Sequence, residues 1–195
     1  MGYLTDHNRM CISQPFAFKY HRAQKDHFDL RLCNHELAVS WALYKMPNHC
    51  PELDCGAIQV EDHLRENIAF EGVHPEGRGA GPVIVIDQGI WQPLPEYADI
   101  TASLRNGRIK FTFRNSNLLQ GLWSLTRQKN CFRPQNPLWI LRKEPDIYAL
   151  RRDQVKPIDW TKLRSCRTQL TIEEMERDWR LGRRRFRRGR PLFEF

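Results

Sequence analysis

The segment from His21 to Leu32 (HRAQKDHFDLRL) gathers two imidazoles, a carboxylate and a guanidinium at spacings that suit joint chemistry. From His27 to Leu32 polar and apolar residues alternate strictly, which is the period of a half-buried strand. Phe28, Leu30 and Leu32 then face a core, while His27, Asp29 and Arg31 line the other face at intervals of about 6–7 Å. His21 stands just before that strand. Two neutral imidazoles and one carboxylate can hold a transition metal with coordination positions left open. A guanidinium beside them grips an anion. The pattern reads as a site for phosphoryl chemistry, set against the plainer reading of His21, His27 and Asp29 as a structural ion-pair cluster.

A second polar stretch follows at Val60-Glu61-Asp62-His63, where alternation puts Glu61 and His63 on one face of a strand end. Phe70 to Gly81 then carries Gly72, Gly77, Gly79 and Gly81, with Pro75 inside it and Pro82 after it, which describes a loop of tight turns. That loop is neither a P-loop nor a dinucleotide fingerprint. His35, His49 and His74 read as ordinary histidines. The six cysteines contain no CxxC pair and read as free thiols. His49, Cys50 and Cys55, with Cys33 and His35, match no familiar zinc module.

These side chains need strands to position them. Eight runs have strand character: Phe16–Tyr20, His27–Leu32, Leu37–Tyr44, Ala57–Glu61, Val83–Asp87, Ile109–Arg114, Leu122–Thr126 and Leu138–Arg142. Tyr97–Leu104 suits a short helix ended by Asn106-Gly107, and Asn115-Ser116-Asn117 suits a hairpin connection. Many short strands and few helical patterns indicate a mainly all-β barrel or sandwich. From Tyr148 the pattern changes. Thr171 and Glu174 form a capping box before a helix over Glu173–Arg180, and an arginine run follows.

The chain of 195 residues carries a net charge of +8, but Arg177 to Arg190 holds eight arginines against one aspartate, so +7 of the +8 belongs to that tail. The tail reads equally as a nucleic-acid arm, a nuclear address or a solvated extension. No apolar run approaches a membrane span of ~18 residues. The N-terminus has no signal-peptide pattern, and Asp6 breaks the myristoylation motif that Gly2 would begin. The expectation is an intracellular protein with no membrane partner, cytoplasmic in a prokaryote and nuclear in a eukaryote.

Six motifs in order resemble one family: HxxxxxHxDxRL at 21–32, SWAxxK at 40–45, VEDH at 60–63, FEGVxPEGxGAG at 70–81, VIVxDxGxW at 83–91 and LxGxW at 119–123, closed by LWILRK at 138–143. They are similar to the 3′-phosphoesterase domain of bacterial DNA ligase D, which also occurs as a free-standing protein. The resemblance spans residues 16–150, after a flexible segment 1–15 and before an extension 151–195 with a helix and the basic tail. It implies a compact β-barrel with one or two short helices and a site in a concave groove. It also implies a divalent metal, typically manganese, used to trim 3′ ends of DNA or of DNA carrying RNA. A terminal ribonucleoside is removed first, and the remaining 3′-phosphate after it. On this likeness His21, His27 and Asp29 match the metal ligands. Arg31 and His63 match groups on the scissile phosphate, and Lys45 and Glu61 match supporting positions. Ligation and polymerisation would then come from separate partners.

The chain departs from the family pattern at three places. Cys55 falls where relatives often carry a phosphate-binding arginine, and Asn67 where they commonly have tyrosine. The PEG loop is one residue shorter, with Arg78 as the candidate to supply the missing cation. These departures keep open a second reading, a catalytically weakened member that serves as a nucleic-acid-binding module. The intact His21, His27 and Asp29 favour the enzyme.

Overall fold

A computed structural model of the chain describes residues 13–129 and 135–183. In order these form β1 (Gln14–Arg22), β2 (Asp26–Asn34), β3 (Leu37–Leu43), β4 (Cys55–Leu64), β5 (Gly72–His74), β6 (Gly81–Pro93), α1 (Ile100–Asn106), β7 (Arg108–Arg114), β8 (Gly121–Arg127), β9 (Leu138–Lys143) and α2 (Ile172–Arg180). Eight of the strands form a closed antiparallel barrel in the order β1-β2-β3-β4-β9-β8-β7-β6, with β6 pairing back onto β1. Closure leaves these eight strands without an open edge, while β5 pairs with β6 alone among the described strands. β6 is long enough to pair with β1, with β7 at its far end and with β5 at its start.

All eight expected strands are present, and the mainly all-β class with short helices holds. The ninth strand, β5, lies inside the glycine-rich stretch that the sequence presents as a loop. α1 starts three residues later than its apolar pattern suggests, because Asp99 accepts the Ala102 N–H as an N-cap and Pro95–Tyr97 takes a separate 3-10 turn. Gly107 ends α1 in the left-handed conformation. The capping box of α2 is formed by Thr171 and Glu174.

Alternation along β1, β2 and β3 explains the core. Phe16, Phe18 and Tyr20, then Phe28, Leu30 and Leu32, then Val39, Trp41 and Leu43 point inward, where they meet Trp91, Phe111, Trp123 and Trp139. Each such side chain contributes about 1.5–3 kcal/mol by leaving water. The opposite face of the same strands is buried too. Lys19, His21, Asp29, Arg31 and Ser40 are all below one-tenth exposed. Residues 65–81 lie over this outer face: Ile68 joins Ala17, Cys33, Ala38 and Val85 in a second small apolar cluster, and the backbone of the 67–70 turn accepts bonds from Lys19.

The segment after β9 packs onto the same barrel. Trp160, Leu163, Ile172 and Met175 join the main core, with the Trp160 ring edge-on to Phe28 at 4.9 Å. The Cys166 N–H donates to the Val85 carbonyl at 2.8 Å. Among the described residues no helix is long and apolar enough to cross a membrane. Residues 1–12, Cys131 and the tail from residue 184 lie outside the described residues.

Candidate metal centre

The β1–β2 hairpin explains why histidines six residues apart can act together. Its antiparallel register sets His21 opposite His27, Lys19 opposite Asp29 and Ala17 opposite Arg31. The two imidazole rings lie 4.7 Å apart between centres. Asp29, two residues along β2 on the same face, reaches both: Oδ2 is 3.7 Å from His21 Nδ1 and Oδ1 is 3.4 Å from His27 Nε2. One ligand atom from each residue falls within 4.8 Å of the others, and this is the only such group among the described residues.

The other nitrogen of each ring is tied to backbone. His21 Nε2 donates to the Gly79 carbonyl at 3.0 Å, and His27 Nδ1 donates to the Lys25 carbonyl at 2.8 Å. Those bonds fix the tautomers and leave His21 Nδ1 and His27 Nε2 as lone-pair atoms facing a carboxylate. Three acceptors turned on one another are stable only with a cation between them, either a proton or a metal. Burial opposes the His27 imidazolium, but the hydrogen bond and charge of Asp29 outweigh it and raise the His27 pKa. Burial likewise works against the Asp29 carboxylate, yet the bonds from His21 and His27 and the charge of Arg31 hold its carboxyl far below the usual range. A donor set of two imidazoles and one carboxylate with fixed tautomers fits a divalent transition metal.

Arg31 extends the row. Nη2 lies 3.8 Å from Asp29 Oδ2, and Nη1 donates to the Asn67 carbonyl at 3.4 Å. Nε is buried with no protein partner, a donor that an incoming oxyanion would satisfy. His63 reaches the site through a β-bulge. Ser40 pairs with Val60 but Ala38 pairs with His63, so β4 carries one extra residue there. An unbroken strand would set Asp62 opposite Ala38; the bulge sets His63 there instead. His63 Nδ1 donates to Ser40 Oγ at 3.0 Å, because that hydroxyl gives its own proton to the Ala38 carbonyl. Burial and then Arg31 lower the His63 pKa, so the neutral ring is favoured.

The remaining expected residues lie further out. Lys45 is exposed and follows Tyr44, whose ring is 6.2 Å from that of His27. Glu61 is exposed on β4. Arg78 is exposed on the loop, one residue before the Gly79 carbonyl that holds His21. Cys55 is buried in the barrel core, where its thiol donates to the Lys45 carbonyl and burial pushes its pKa up to about 12. It does not reach the polar row. The cysteines and histidines at 33, 35, 49, 50 and 55 do not gather into a metal group; His49 instead packs on Trp123 at 5.5 Å.

Three residues join the site unannounced. Lys19 is buried beneath it and donates to the Asn67 and Phe70 carbonyls, while burial and Arg31 lower its pKa well below that of a free lysine. Period-2 alternation with His21 in β1 was its signal. Ser40 orients His63. His74, on β5, lies with its ring 5.6 Å from that of His21.

Comparison with known proteins adds sequence relationships to this geometry. The profile of the DNA ligase D 3′-phosphoesterase domain matches residues 19–127. The chain is 36% identical over 140 residues to the multifunctional non-homologous end joining protein LigD of Pseudomonas aeruginosa, covering 71% of this chain and 16% of that protein. The LigD of Mycolicibacterium smegmatis is 36% identical over 153 residues, 73% of this chain and 18% of the relative. That of Mycobacterium bovis is 32% identical over 121 residues, 59% of this chain and 16% of the relative. The chain therefore spans about a sixth of the length of the relatives it matches.

Proposed function

The chain belongs to the DNA ligase D 3′-phosphoesterase family, and from that premise we propose that it is a metal-dependent hydrolase that trims the 3′ ends of DNA. Its substrates are ends bearing a terminal ribonucleoside or a 3′-phosphate, and its setting is end repair of the kind for which its relatives are named. The observation that carries this reading is the convergence of His21 Nδ1, His27 Nε2 and Asp29, each imidazole locked by a backbone carbonyl.

These three residues would hold the metal, for which we propose manganese. When bound, it polarises a phosphoryl oxygen and acidifies an attacking water. The chain's own groups supply the rest. Arg31 offers its unpartnered Nε to a non-bridging phosphate oxygen and neutralises charge gathering there. His63, oriented by Ser40, presents Nε2 to the phosphate or to the leaving oxygen. The phosphate's negative charge offsets the Arg31 effect and lets that nitrogen hold a proton for the leaving group. Lys45, Glu61 and Arg78, all exposed, are the residues proposed to support the strand that enters the site.

Burial of Cys55 in the core bears on substrate preference. A terminal phosphomonoester carries up to two charges and needs more cationic grip than a diester, so removal of the ribonucleoside outpaces removal of the 3′-phosphate. The test is a labelled primer–template ending in one ribonucleotide, incubated with and without manganese, alongside His27→Ala. Manganese-dependent shortening that the variant lacks supports the proposal. DNA binding without shortening would favour the weakened binding module, and equal rates on matched 3′-ribonucleotide and 3′-phosphate ends would refute the stated preference.

A further inference from the structure

Aromatic and imidazole rings form a row across the candidate metal centre. The hairpin sets His21 opposite His27. In the next pair of strands Asp29 lies opposite Ala42 and Phe28 opposite Leu43, so one further step brings Tyr44 opposite His27. From Phe70 through His74, His21 and His27 to Tyr44, successive ring centres are 4.8, 5.6, 4.7 and 6.2 Å apart.

The two ends of the row differ. Phe70 and His74 are half-buried, and the Gly79 carbonyl caps the buried His21. Tyr44 is 49% exposed. It follows the last residue of β3, Leu43, which is fully buried in the core, so alternation turns the next ring to the outer face. Beyond Tyr44 the same register reaches Gly56 of β4, which has no side chain to cover the ring. A methyl group at Gly56 would touch only Leu138 Cδ1, at 3.8 Å. The open end of the row is therefore the Tyr44 end. With half its surface left in water, a ring of this size is not explained by packing.

We propose that Tyr44 is the stacking platform for the nucleobase next to the phosphate that enters the metal centre. The inference rests on nucleic acid being the substrate, and it names the group that holds the base, whereas Arg31 and the three ligands address the phosphate. β3 lies about 4.8 Å beyond β2, so the base and the phosphate of one nucleotide reach Tyr44 and the centre together. Every base has a π-face, so stacking accepts any sequence at the end. Lys45, exposed beside Tyr44, adds the positive charge that accompanies stacking rings where single strands are held. Tyr44 fills one of the two positions left open in the SWAxxK motif.

The test is equilibrium binding of the full-length chain, without divalent metal, to two fluorescent hairpin DNAs that end in a 3′-phosphate. One carries a base at its last position and the other an abasic tetrahydrofuran. Parent, Tyr44→Ala and Tyr44→Phe are compared. We expect Tyr44→Ala to bind the base-bearing end about 5- to 150-fold more weakly than the parent and Tyr44→Phe to bind it like the parent. The abasic end binds all three within about twofold, because it offers nothing to stack. Equal loss on both ends would give the ring a structural role and overturn the inference. So would a Tyr44→Ala variant that binds the base-bearing end like the parent. Photo-cross-linking from a 5-iodouracil at the last position reads the same contact in the parent: an adduct on Tyr44 is expected, and adducts on other residues alone, or none, would overturn the inference. Tyr44-dependent binding of the base by a chain that trims no ends would remove the proposed function and leave this inference standing. Trimming by Tyr44→Ala with the parent's preference for a base over an abasic end would remove this inference alone.

Discussion

Asp29→Asn keeps the size of the side chain and removes its charge from the point where three cationic or cation-binding groups meet. Asp29 is 8% exposed, and its oxygens lie 3.4, 3.7 and 3.8 Å from His27, His21 and Arg31. Two unit charges about 4 Å apart interact by ~4 kcal/mol at an effective dielectric of ~20. A divalent ion bonded to that carboxylate loses at least this much, which corresponds to a manganese Kd about 10³-fold weaker. The substitution has a second consequence. Burial alone lowers an imidazole pKa, and Asp29 is what reverses this at His27. Without the carboxylate, His27 titrates below its parent value. Free manganese measured by electron paramagnetic resonance reports the first effect, and NMR titration of the His27 ring reports the second. Manganese binding within tenfold of the parent, or an unmoved His27 titration, would refute the reasoning.

Four further outcomes follow from the site and the core. Manganese binding weakens as pH falls, by about tenfold per unit below the raised His27 pKa, because the ligand ring must be neutral; calorimetry at several pH values checks this. The metal-free protein behaves oppositely: the stability contributed by His27 is fully present below about 6.5 and is lost as pH rises through the higher folded value, so this contribution shifts urea midpoints in favour of pH 6 over pH 8. Cys55→Arg, which restores the family's cation in sequence, places a charge in the core and destabilises by about 3 kcal/mol or more without improving 3′-phosphate removal. Ile172→Ala costs about 2–5 kcal/mol in urea unfolding, because that α2 residue belongs to the barrel core.

The six-residue alternation at His27–Leu32 was enough to place Asp29 and Arg31 on one face, and the hairpin explains why His21 joins them. Barrel closure is a long-range property, carried by β6 pairing with both β1 and β7; no local period reports it. β5 escaped because three residues among glycines have no periodicity to show. The bulge at His63 breaks the alternation that grouped it with Glu61, so a face deduced from spacing changes within two residues. The burial of Lys19 and Arg31 depends on residues 65–70 lying over β1 and β2, a contact almost fifty residues away from Lys19 in the chain. Cys55 shows the converse. Its sequence position suggests a place in the site, and its side chain belongs to the core.

Diffraction from crystals grown with manganese, recorded for the anomalous signal of that element, tests the central claim most directly. The account predicts a peak bonded to His21 Nδ1, His27 Nε2 and an Asp29 carboxylate oxygen, with Arg31 alongside. An empty density at that point, or manganese held by other side chains, would contradict it.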